Sequence, residues 1–151
     1  MRVLVPYTRH GPRLQVVADC LRFQQVEPEL VRVDRGEAYW DLLRRSWTRE
    51  FFIVEQDIIV WAGAVAEMAA CVSPWCTLPT ICKGREVTHS FGCVKFGQAL
   101  IDSRPAFWDD MPRAWDTLDM HFYARMQDGY QPVEPCVHWP MATHLNKAHW
   151  A

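Results

Sequence analysis

Two acidic residues, Glu55 and Asp57, directly follow the most apolar strand that the sequence predicts, Phe51–Val54. Alternate side chains of an extended chain point to the same side, so we expect both carboxylates to face one site. Ionised carboxylates at the end of a buried strand are unfavourable unless another group compensates their charge. A divalent cation such as Mg²⁺ or Mn²⁺ would do so while also binding the phosphate oxygens of a substrate. The alternative is an acidic turn exposed to solvent.

Three histidines near the C-terminus, His138, His144 and His149, are the next candidates for a metal site. Imidazole is a common ligand of borderline divalent cations and would complement the two carboxylates. Each ring could instead be an ordinary surface histidine, or a buried one whose hydrogen bonds are satisfied. Spacing alone does not separate these alternatives, and His138 and His144 both remain candidate ligands.

A second acidic pair, Asp116 and Asp119, has the spacing of neighbours on one helical face. Apolar residues that recur every three and four positions predict a helix over residues 115–128, which places this pair near its start. A carboxylate there could act as a general base that takes a proton from an acceptor hydroxyl. Acids at the start of a helix also complement its dipole, which is the alternative explanation.

Arginines in the N-terminal half, among them Arg9, Arg13 and Arg35, could bind an anionic phosphate group. The whole chain carries 16 Lys and Arg against 18 Asp and Glu, which gives a formal net charge of −2. This balance argues against a broad surface that coats nucleic acid, although not against a local basic groove. The alternative for each arginine is an ordinary position on the surface.

The elements that must position these groups alternate between strands and helices. Short apolar runs predict strands over residues 2–5, 30–34, 51–54, 75–78 and 92–96. Apolar residues at helical spacing predict helices over residues 13–25, 37–48, 63–70 and 115–128. The polar segment 80–92 is expected to be irregular. This alternation predicts an α/β sandwich with a mostly parallel sheet, whose ligands bind beyond the carboxyl ends of the strands.

The composition fits a single globular domain over all 151 residues. Half of the residues are hydrophobic and 23% are charged, which excludes a disordered or collagen-like chain. No apolar run is long enough to cross a membrane and the N-terminus lacks a secretory signal, so we expect a cytoplasmic protein.

The six cysteines form no CxxC pair, and we interpret them as reduced, small buried side chains. A zinc protein that uses cysteine and histidine is the alternative.

These motifs, in this order, resemble those of small glycosyltransferases with the GT-A fold. The segment FFIVEQD, residues 51–57, is similar to the DxD-like motif of that family, with Glu in the first acidic position. The pair Asp116 and Asp119 followed by Gly129-Tyr130 is similar to the family's catalytic acid with a downstream glycine and aromatic residue. The opening run Val-Pro-Tyr-Thr-Arg resembles short glycosyltransferase-like proteins of bacteriophages and actinobacteria.

The resemblance implies a minimal GT-A (Rossmann-like) α/β/α sandwich that binds a nucleotide-sugar donor, with a UDP-sugar as the first candidate. It implies Mn²⁺ or Mg²⁺ bound by Asp57, with Glu55 taking part directly or through water. Family members often complete this site with a C-terminal histidine, for which His144 is the first match and His138 the second.

The resemblance also implies roles at the first two strand ends, where Thr8, Arg9 and Asp34 would bind the nucleotide. Tyr7 would offer a stacking surface for the base. Asp119, or in second place Asp116, would be the general base of an inverting reaction, although a retaining reaction is equally compatible with the sequence.

The acceptor is expected to lie near His89 and Trp115, with Trp75 and Trp139 as further stacking surfaces. Some phage enzymes of this type are thought to glycosylate hydroxymethylated pyrimidines, which makes DNA one candidate acceptor beside proteins, glycans and small molecules. The alternative function is a non-catalytic nucleotide-binding or assembly protein that keeps the same α/β shell.

Overall fold

The structure, a computed structural model, describes residues 1–88, 91–127, 136–139 and 141–145, except for the side chain of Trp115. The strands are β1 (Val3–Tyr7), β2 (Glu29–Arg32), β3 (Phe51–Val54), β4 (Ile58–Val60), β5 (Trp75–Thr77), β6 (Thr80–Cys82), β7 (Arg85–Val87), β8 (Cys93–Phe96), β9 (Cys136–Val137) and β10 (Ala142–His144). The helices are α1 (Pro12–Phe23), α2 (Ala38–Ser46), α3 (Ala64–Ala70), α4 (Gln98–Ser103) and α5 (Leu118–Gln127), which a 3₁₀ turn over Trp115–Thr117 precedes. Within these ranges, no helix is both long and apolar enough to cross a membrane.

The larger sheet has the strand order β2-β1-β3-β8-β5-β9. Strand β1 lies between β2 and β3 and runs parallel to both, as strands joined by helical crossovers do. Strand β8 is antiparallel to β3 and to β5, whereas β5 and β9 are parallel. The α/β prediction is confirmed, but the sheet is mixed and a mostly parallel sheet is not confirmed. An apolar run predicts that β8 is a strand, but it carries no information about the direction in which the strand runs.

Helices cover both faces of the larger sheet. Phe51 and Ile53 pack into a cluster with α2, α4 and α5, whereas Phe52 and Val54 pack into a second cluster with α1 and α3. This division follows from the alternation of side chains along β3. All four residues of β3 are therefore buried, which explains why the strand is an unbroken apolar run in the sequence.

The smaller sheet has the strand order β4-β10-β6-β7. Strands β6 and β7 form an antiparallel hairpin, and its turn residues Lys83 and Gly84 have φ angles of 50° and 73°. The prediction that residues 80–92 are irregular is therefore wrong over residues 80–87. Turns with two positive φ angles are usually recognised in a sequence by Asn-Gly or Asp-Gly. Lys-Gly has the glycine but not the preceding Asn or Asp, so the turn is not recognised.

Candidate active site

A cavity of about 360 Å³ lies at the carboxyl ends of β1 and β3. This is the edge at which sheets of this kind bind their ligands. Four acidic residues line the cavity: Glu55, Asp57, Asp116 and Asp119. The remaining lining residues are Pro6, Tyr7, Thr8, Val33, Tyr39, Gln56 and Phe91. The structure thus brings the two acidic pairs of the sequence together around one cavity.

The Glu55–Asp57 segment is a turn between β3 and β4 and is not part of an extended strand. The backbone N–H of Ile58 donates a hydrogen bond to the carbonyl oxygen of Glu55 at 3.0 Å, which closes this turn. Glu55 and Asp57 therefore face the same cavity because the chain turns between them. Strand alternation, from which we expected this arrangement, is not its cause.

Gln56, which lies between the two acids, connects the ends of β3 and β1. Its side-chain carbonyl accepts a hydrogen bond from the backbone N–H of Thr8 at 2.8 Å, and its amide nitrogen lies 3.2 Å from the Thr8 hydroxyl. No sequence pattern selects Gln56, because a lone glutamine has no spacing that predicts a partner. Its contact fixes the loop after β1 against the acidic turn.

Glu55 lines the acidic cavity and is held there by Tyr39 of α2. The Tyr39 hydroxyl donates a hydrogen bond to Glu55 Oε1 at 2.9 Å. The pKa of Glu55 is raised to about 7, chiefly by burial and to a smaller extent by the nearby carboxylates Asp57 and Asp119, while the Tyr39 hydrogen bond and His144 lower it. The cavity therefore concentrates negative charge, which a bound cation would relieve.

His144 is placed beside Asp57 by the pairing of β10 with β4. In this antiparallel pair His144 lies opposite Ile58, and the backbone N–H of the next residue, Leu145, donates a hydrogen bond to the carbonyl oxygen of Asp57 at 2.6 Å. The ring Nε2 lies 3.2 Å from Asp57 Oδ2. A hydrogen bond to Asp57 raises the pKa of His144, whereas partial burial and the nearby Arg13 act to lower it.

The donor atoms around Asp57 fit a small divalent cation. Carboxylates are the ligands that Mg²⁺ and Mn²⁺ prefer, and imidazole is a frequent additional ligand. Neighbouring ligands of a six-coordinate ion bound at about 2.1 Å lie about 3 Å apart. The 3.2 Å between Asp57 Oδ2 and His144 Nε2 is close to that separation. The other ring nitrogen, Nδ1, is buried and has no hydrogen-bond partner among the described residues.

A second cavity of about 430 Å³ adjoins the first and shares Thr8, Gln56 and Asp57 with it. Its remaining walls come from the loop after β1 and from the first turn of α1: Arg9, His10, Gly11, Pro12, Arg13 and Leu14. Two arginines and the N-terminal end of a helix favour an anion. Asp57 thus lies between an acidic cavity and a cationic one.

Comparison with known proteins supports the fold. The sequence matches no family model and no curated protein. A solved structure described as a glycosyltransferase involved in the glycosylation of the major capsid of PBCV-1 aligns with a TM-score of 0.59 and 12% identity, over 99% of this chain and 95% of that chain. A197 from STIV aligns with a TM-score of 0.60 and 13% identity, over 97% of this chain and 87% of that chain. The chain therefore shares the α/β fold of a viral glycosyltransferase.

Of the residues predicted to bind the nucleotide, some line one or both cavities and others line neither. Thr8 and Arg9 line the cationic cavity. Tyr7 lines the acidic cavity, but its side chain is only 8% exposed and its hydroxyl lies 2.9 Å from His10 Nε2, which leaves little ring surface for a base. Asp34 lines neither cavity and forms an ion pair with Arg32 at 2.8 Å.

The structure separates the two candidate histidine ligands. His144 lies beside Asp57, whereas His138 has its ring nitrogens near Glu67 and Cys136, at 3.1 and 3.8 Å.

Of the expected acceptor residues, Trp75 is only 1% exposed and packs against Phe122 in the core, so it cannot stack on a ligand. Trp139 is exposed. His89, the Trp115 side chain and the pair Gly129-Tyr130 lie outside the described residues.

Replacing Glu55 by Gln is expected to raise the free energy of unfolding of chelator-treated protein by about 1–3 kcal/mol at about pH 8. The pKa of Glu55 is about 7 in the folded chain against an ordinary value of 4.5. The stability that protonated Glu55 contributes is complete below the lower value and is lost as the pH rises through the higher one. Gln does not ionise and still accepts the Tyr39 hydrogen bond.

Urea denaturation measures this effect, and the difference between Glu55→Gln and the original chain should shrink at about pH 5. Glu86→Gln, an exposed position in β7, is the matched control and should change stability little at either pH. A Glu55→Gln protein that is less stable than the original at the higher pH contradicts the prediction.

Proposed function

We propose that this chain is a metal-dependent glycosyltransferase of the GT-A class that moves a sugar from a nucleotide-sugar to an acceptor hydroxyl. The observation that carries this proposal is the position of Asp57, on the wall shared by an acidic and a cationic cavity at the carboxyl ends of β1 and β3. Cationic side chains bind the anionic diphosphate of such a donor, and carboxylates bind the divalent cation that accompanies it, so the donor needs both environments side by side.

The diphosphate and nucleoside of the donor would occupy the cationic cavity. Arg9 and Arg13 supply charge-assisted hydrogen-bond donors, and the first turn of α1 supplies backbone N–H groups that lack helical partners. Thr8 and Gln56 hold the loop after β1 in place through their mutual hydrogen bonds. The sugar would then extend past Asp57 into the acidic cavity.

Asp57 and His144 would hold the Mn²⁺ or Mg²⁺ ion, and Glu55 would support it directly or through water. A divalent ion at this position neutralises the charge that develops on the diphosphate as it leaves. Glu55 and its partner Tyr39 fix the base of the site. The β4–β10 pairing keeps His144 opposite Ile58 and hence beside Asp57.

Asp119 would take the proton from the acceptor hydroxyl if the reaction inverts the anomeric centre. It lines the acidic cavity on the side of α5, is partly buried, and one of its carboxylate oxygens accepts the backbone N–H of Met120 at 2.8 Å. Asp116 lines the same cavity but is exposed. We therefore keep Asp119 as the first candidate base and Asp116 as the second.

The acceptor to test first is a hydroxymethylated pyrimidine in DNA, because the sequence resembles short phage glycosyltransferase-like proteins. The four acids of the cavity would repel the DNA backbone, so a target base would have to be extruded from the duplex to reach them. A carbohydrate acceptor carries no such charge. Transfer assays on hydroxymethylated DNA and on a carbohydrate panel distinguish the two classes.

The donor site is tested by calorimetry with a panel of nucleoside diphosphates, with and without Mn²⁺. We expect at least one of them, UDP first, to bind in a manner that chelator abolishes. Arg9→Ala should weaken that binding about 10-fold or more, because it removes a charge-assisted hydrogen bond. Arg22→Ala is the matched control, since Arg22 pairs with Glu27 and Asp19 on the exposed side of α1.

Two outcomes would decide against the proposal. If no nucleoside diphosphate binds the original chain, the assignment of the cationic cavity is wrong. If diphosphates bind but no nucleotide-sugar is hydrolysed or transferred in the presence of Mn²⁺, the chain is a non-catalytic nucleotide-binding protein with the same shell.

A further inference from the structure

Three cysteines and one histidine from separate segments meet at the β5–β9 edge of the larger sheet. We call these side chains the thiol cluster: Cys71 at the end of α3, Cys76 in β5, Cys136 in β9 and His138 just after β9. The ligand atoms of Cys71, Cys76 and His138 all lie within 4.8 Å of one another. Cys136 Sγ lies 3.8 Å from His138 Nε2, and Cys136 is the register partner of Cys76 in the parallel β5–β9 pair.

This spacing is close to that of a tetrahedral metal site. With Zn–S bonds of about 2.3 Å and Zn–N bonds of about 2.1 Å, neighbouring ligand atoms lie about 3.6–3.8 Å apart. The separations among the ligand atoms of Cys71, Cys76 and His138 are at most 4.8 Å, about 1 Å beyond the upper end of that range, and the 3.8 Å between Cys136 Sγ and His138 Nε2 falls within it. All three cysteines are reduced thiols in the structure.

The histidine of the cluster is oriented by a carboxylate. His138 Nδ1 lies 3.1 Å from Glu67 Oε1, and the opposite ring nitrogen, Nε2, faces the thiols. A ring that donates its Nδ1–H to Glu67 has the lone pair of Nε2 directed at the thiols. This carboxylate–histidine arrangement is the one that commonly fixes a zinc-binding imidazole in its ligating tautomer. A histidine packed against cysteines for hydrophobic reasons alone has no need of it.

A buried positive charge lies beside the cluster. The ammonium group of Lys95 is buried, and its Nζ donates a hydrogen bond to the carbonyl oxygen of Cys71 at 2.8 Å. Three thiolates and a neutral imidazole would leave a zinc complex with one excess negative charge. Lys95 would offset that charge, in addition to its ion pair with Glu50 at 3.5 Å.

We propose that the thiol cluster binds one Zn²⁺ ion in a structural site with three cysteine ligands and one histidine ligand. Its sulfur-rich donors differ from the oxygen-rich donors around Asp57, so the two sites would select different metals. A closed set of four protein ligands leaves no position for a substrate, which indicates a structural role. The proposal does not rest on the proposed transferase activity.

The zinc would tether the C-terminal segment to the sheet. Among the described residues, strand β9 consists of Cys136 and Val137 and pairs with β5 at the edge of the larger sheet. A bond from zinc to Cys136 and to His138 would hold this short strand to α3 and β5. Strand β10, which carries His144, follows six residues after Cys136 in the same segment.

The first test uses the original full chain, purified without chelator under reducing conditions. Elemental analysis is expected to find about one zinc per chain. Replacement of zinc by Co²⁺ should give the intense visible bands and the near-ultraviolet charge-transfer band of a tetrahedral thiolate complex. Absence of bound zinc together with absence of the cobalt spectrum overturns the proposal, as does mass spectrometry that finds a Cys71–Cys76 disulfide in protein kept reduced.

Variants then assign the ligands. Cys136→Ser and His138→Gln should each lower the zinc content or abolish the tetrahedral cobalt spectrum, whereas Cys82→Ser, outside the cluster, should retain both. Glu67→Gln should keep one zinc per chain but weaken its binding about 10- to 100-fold in competition with a chelator. Glu86→Gln is the matched carboxylate control, since Glu86 is exposed in β7 of the smaller sheet. Equal zinc affinity in the Glu67 and Glu86 variants, or full zinc in both ligand variants, contradicts the assignment.

Discussion

Replacing Asp57 by Asn is expected to abolish the metal-dependent binding of nucleoside diphosphates and to slow sugar transfer by about 10³-fold or more. Asn keeps the size of the side chain but removes its charge, and a neutral amide oxygen is a much weaker ligand of a hard cation. The loss should be large because Asp57 lies on the wall that both cavities share, beside His144. The fold should be retained, because the backbone carbonyl of Asp57 still accepts the Leu145 N–H.

Calorimetry with the best-binding nucleoside diphosphate and Mn²⁺ measures the first effect, and release of the diphosphate from its nucleotide-sugar measures the second. The matched control is Asp102→Asn, which removes a carboxylate on α4 that bonds Gln98 and lines neither cavity. Circular dichroism and urea denaturation establish that both variants are folded. If Asp57→Asn transfers sugar at the original rate, Asp57 does not bind the essential metal.

The apolar core of the larger sheet could be predicted from the sequence. Strand β3 is buried on both faces, and its four apolar residues mark it with the bounds that the structure has. Once strands and helices alternate, the edge that binds ligands follows from general properties of α/β sheets. This is why Glu55 and Asp57 could be selected as candidate site residues. The direction of β8 could not be predicted, since an apolar run is the same in either direction.

The contacts that organise the site could not be predicted, because they depend on pairings between distant segments. His144 lies beside Asp57 only because β10 pairs with β4 in one register, and a shift of one residue would move its ring to the other face. Tyr39 falls within the helix predicted over residues 37–48, but its hydrogen bond to Glu55 depends on how α2 packs on the sheet. Local patterns contain neither the register nor the packing.

The grouping of the cysteines could not be predicted for the same reason. Metal sites are recognised in sequences by short, paired spacings such as CxxC, and this chain has none. Cys71 and Cys76 come from one region and Cys136 and His138 from another, and the β5–β9 pairing brings the two regions together. Cys93 does fit the original interpretation, since it is buried and its thiol lies 3.5 Å from the sulfur of Met68.

Replacing Asp119 by Asn is expected to lower the turnover number for sugar transfer by about 10²–10⁴-fold while leaving the donor KM nearly unchanged. A general base acts on the acceptor proton in the transition state and contributes little to binding the donor in the ground state. Asp116→Asn is the matched control, because Asp116 lines the same cavity but is exposed. Its effect should be at least ten times smaller if Asp119 is the base.

Asp119 is favoured over Asp116 because it interacts with the buried groups of the site. Burial raises the pKa of Tyr123, and the charge of Asp119 raises it further. The same charge contributes to the raised pKa of Glu55. Asp119 is partly buried at the wall of the acidic cavity, so an acceptor bound in that cavity would place its hydroxyl against this carboxylate. Partial recovery of Asp119→Ala activity by added formate would support a base at this position. A retaining product, together with unchanged turnover in Asp119→Asn, would contradict the role.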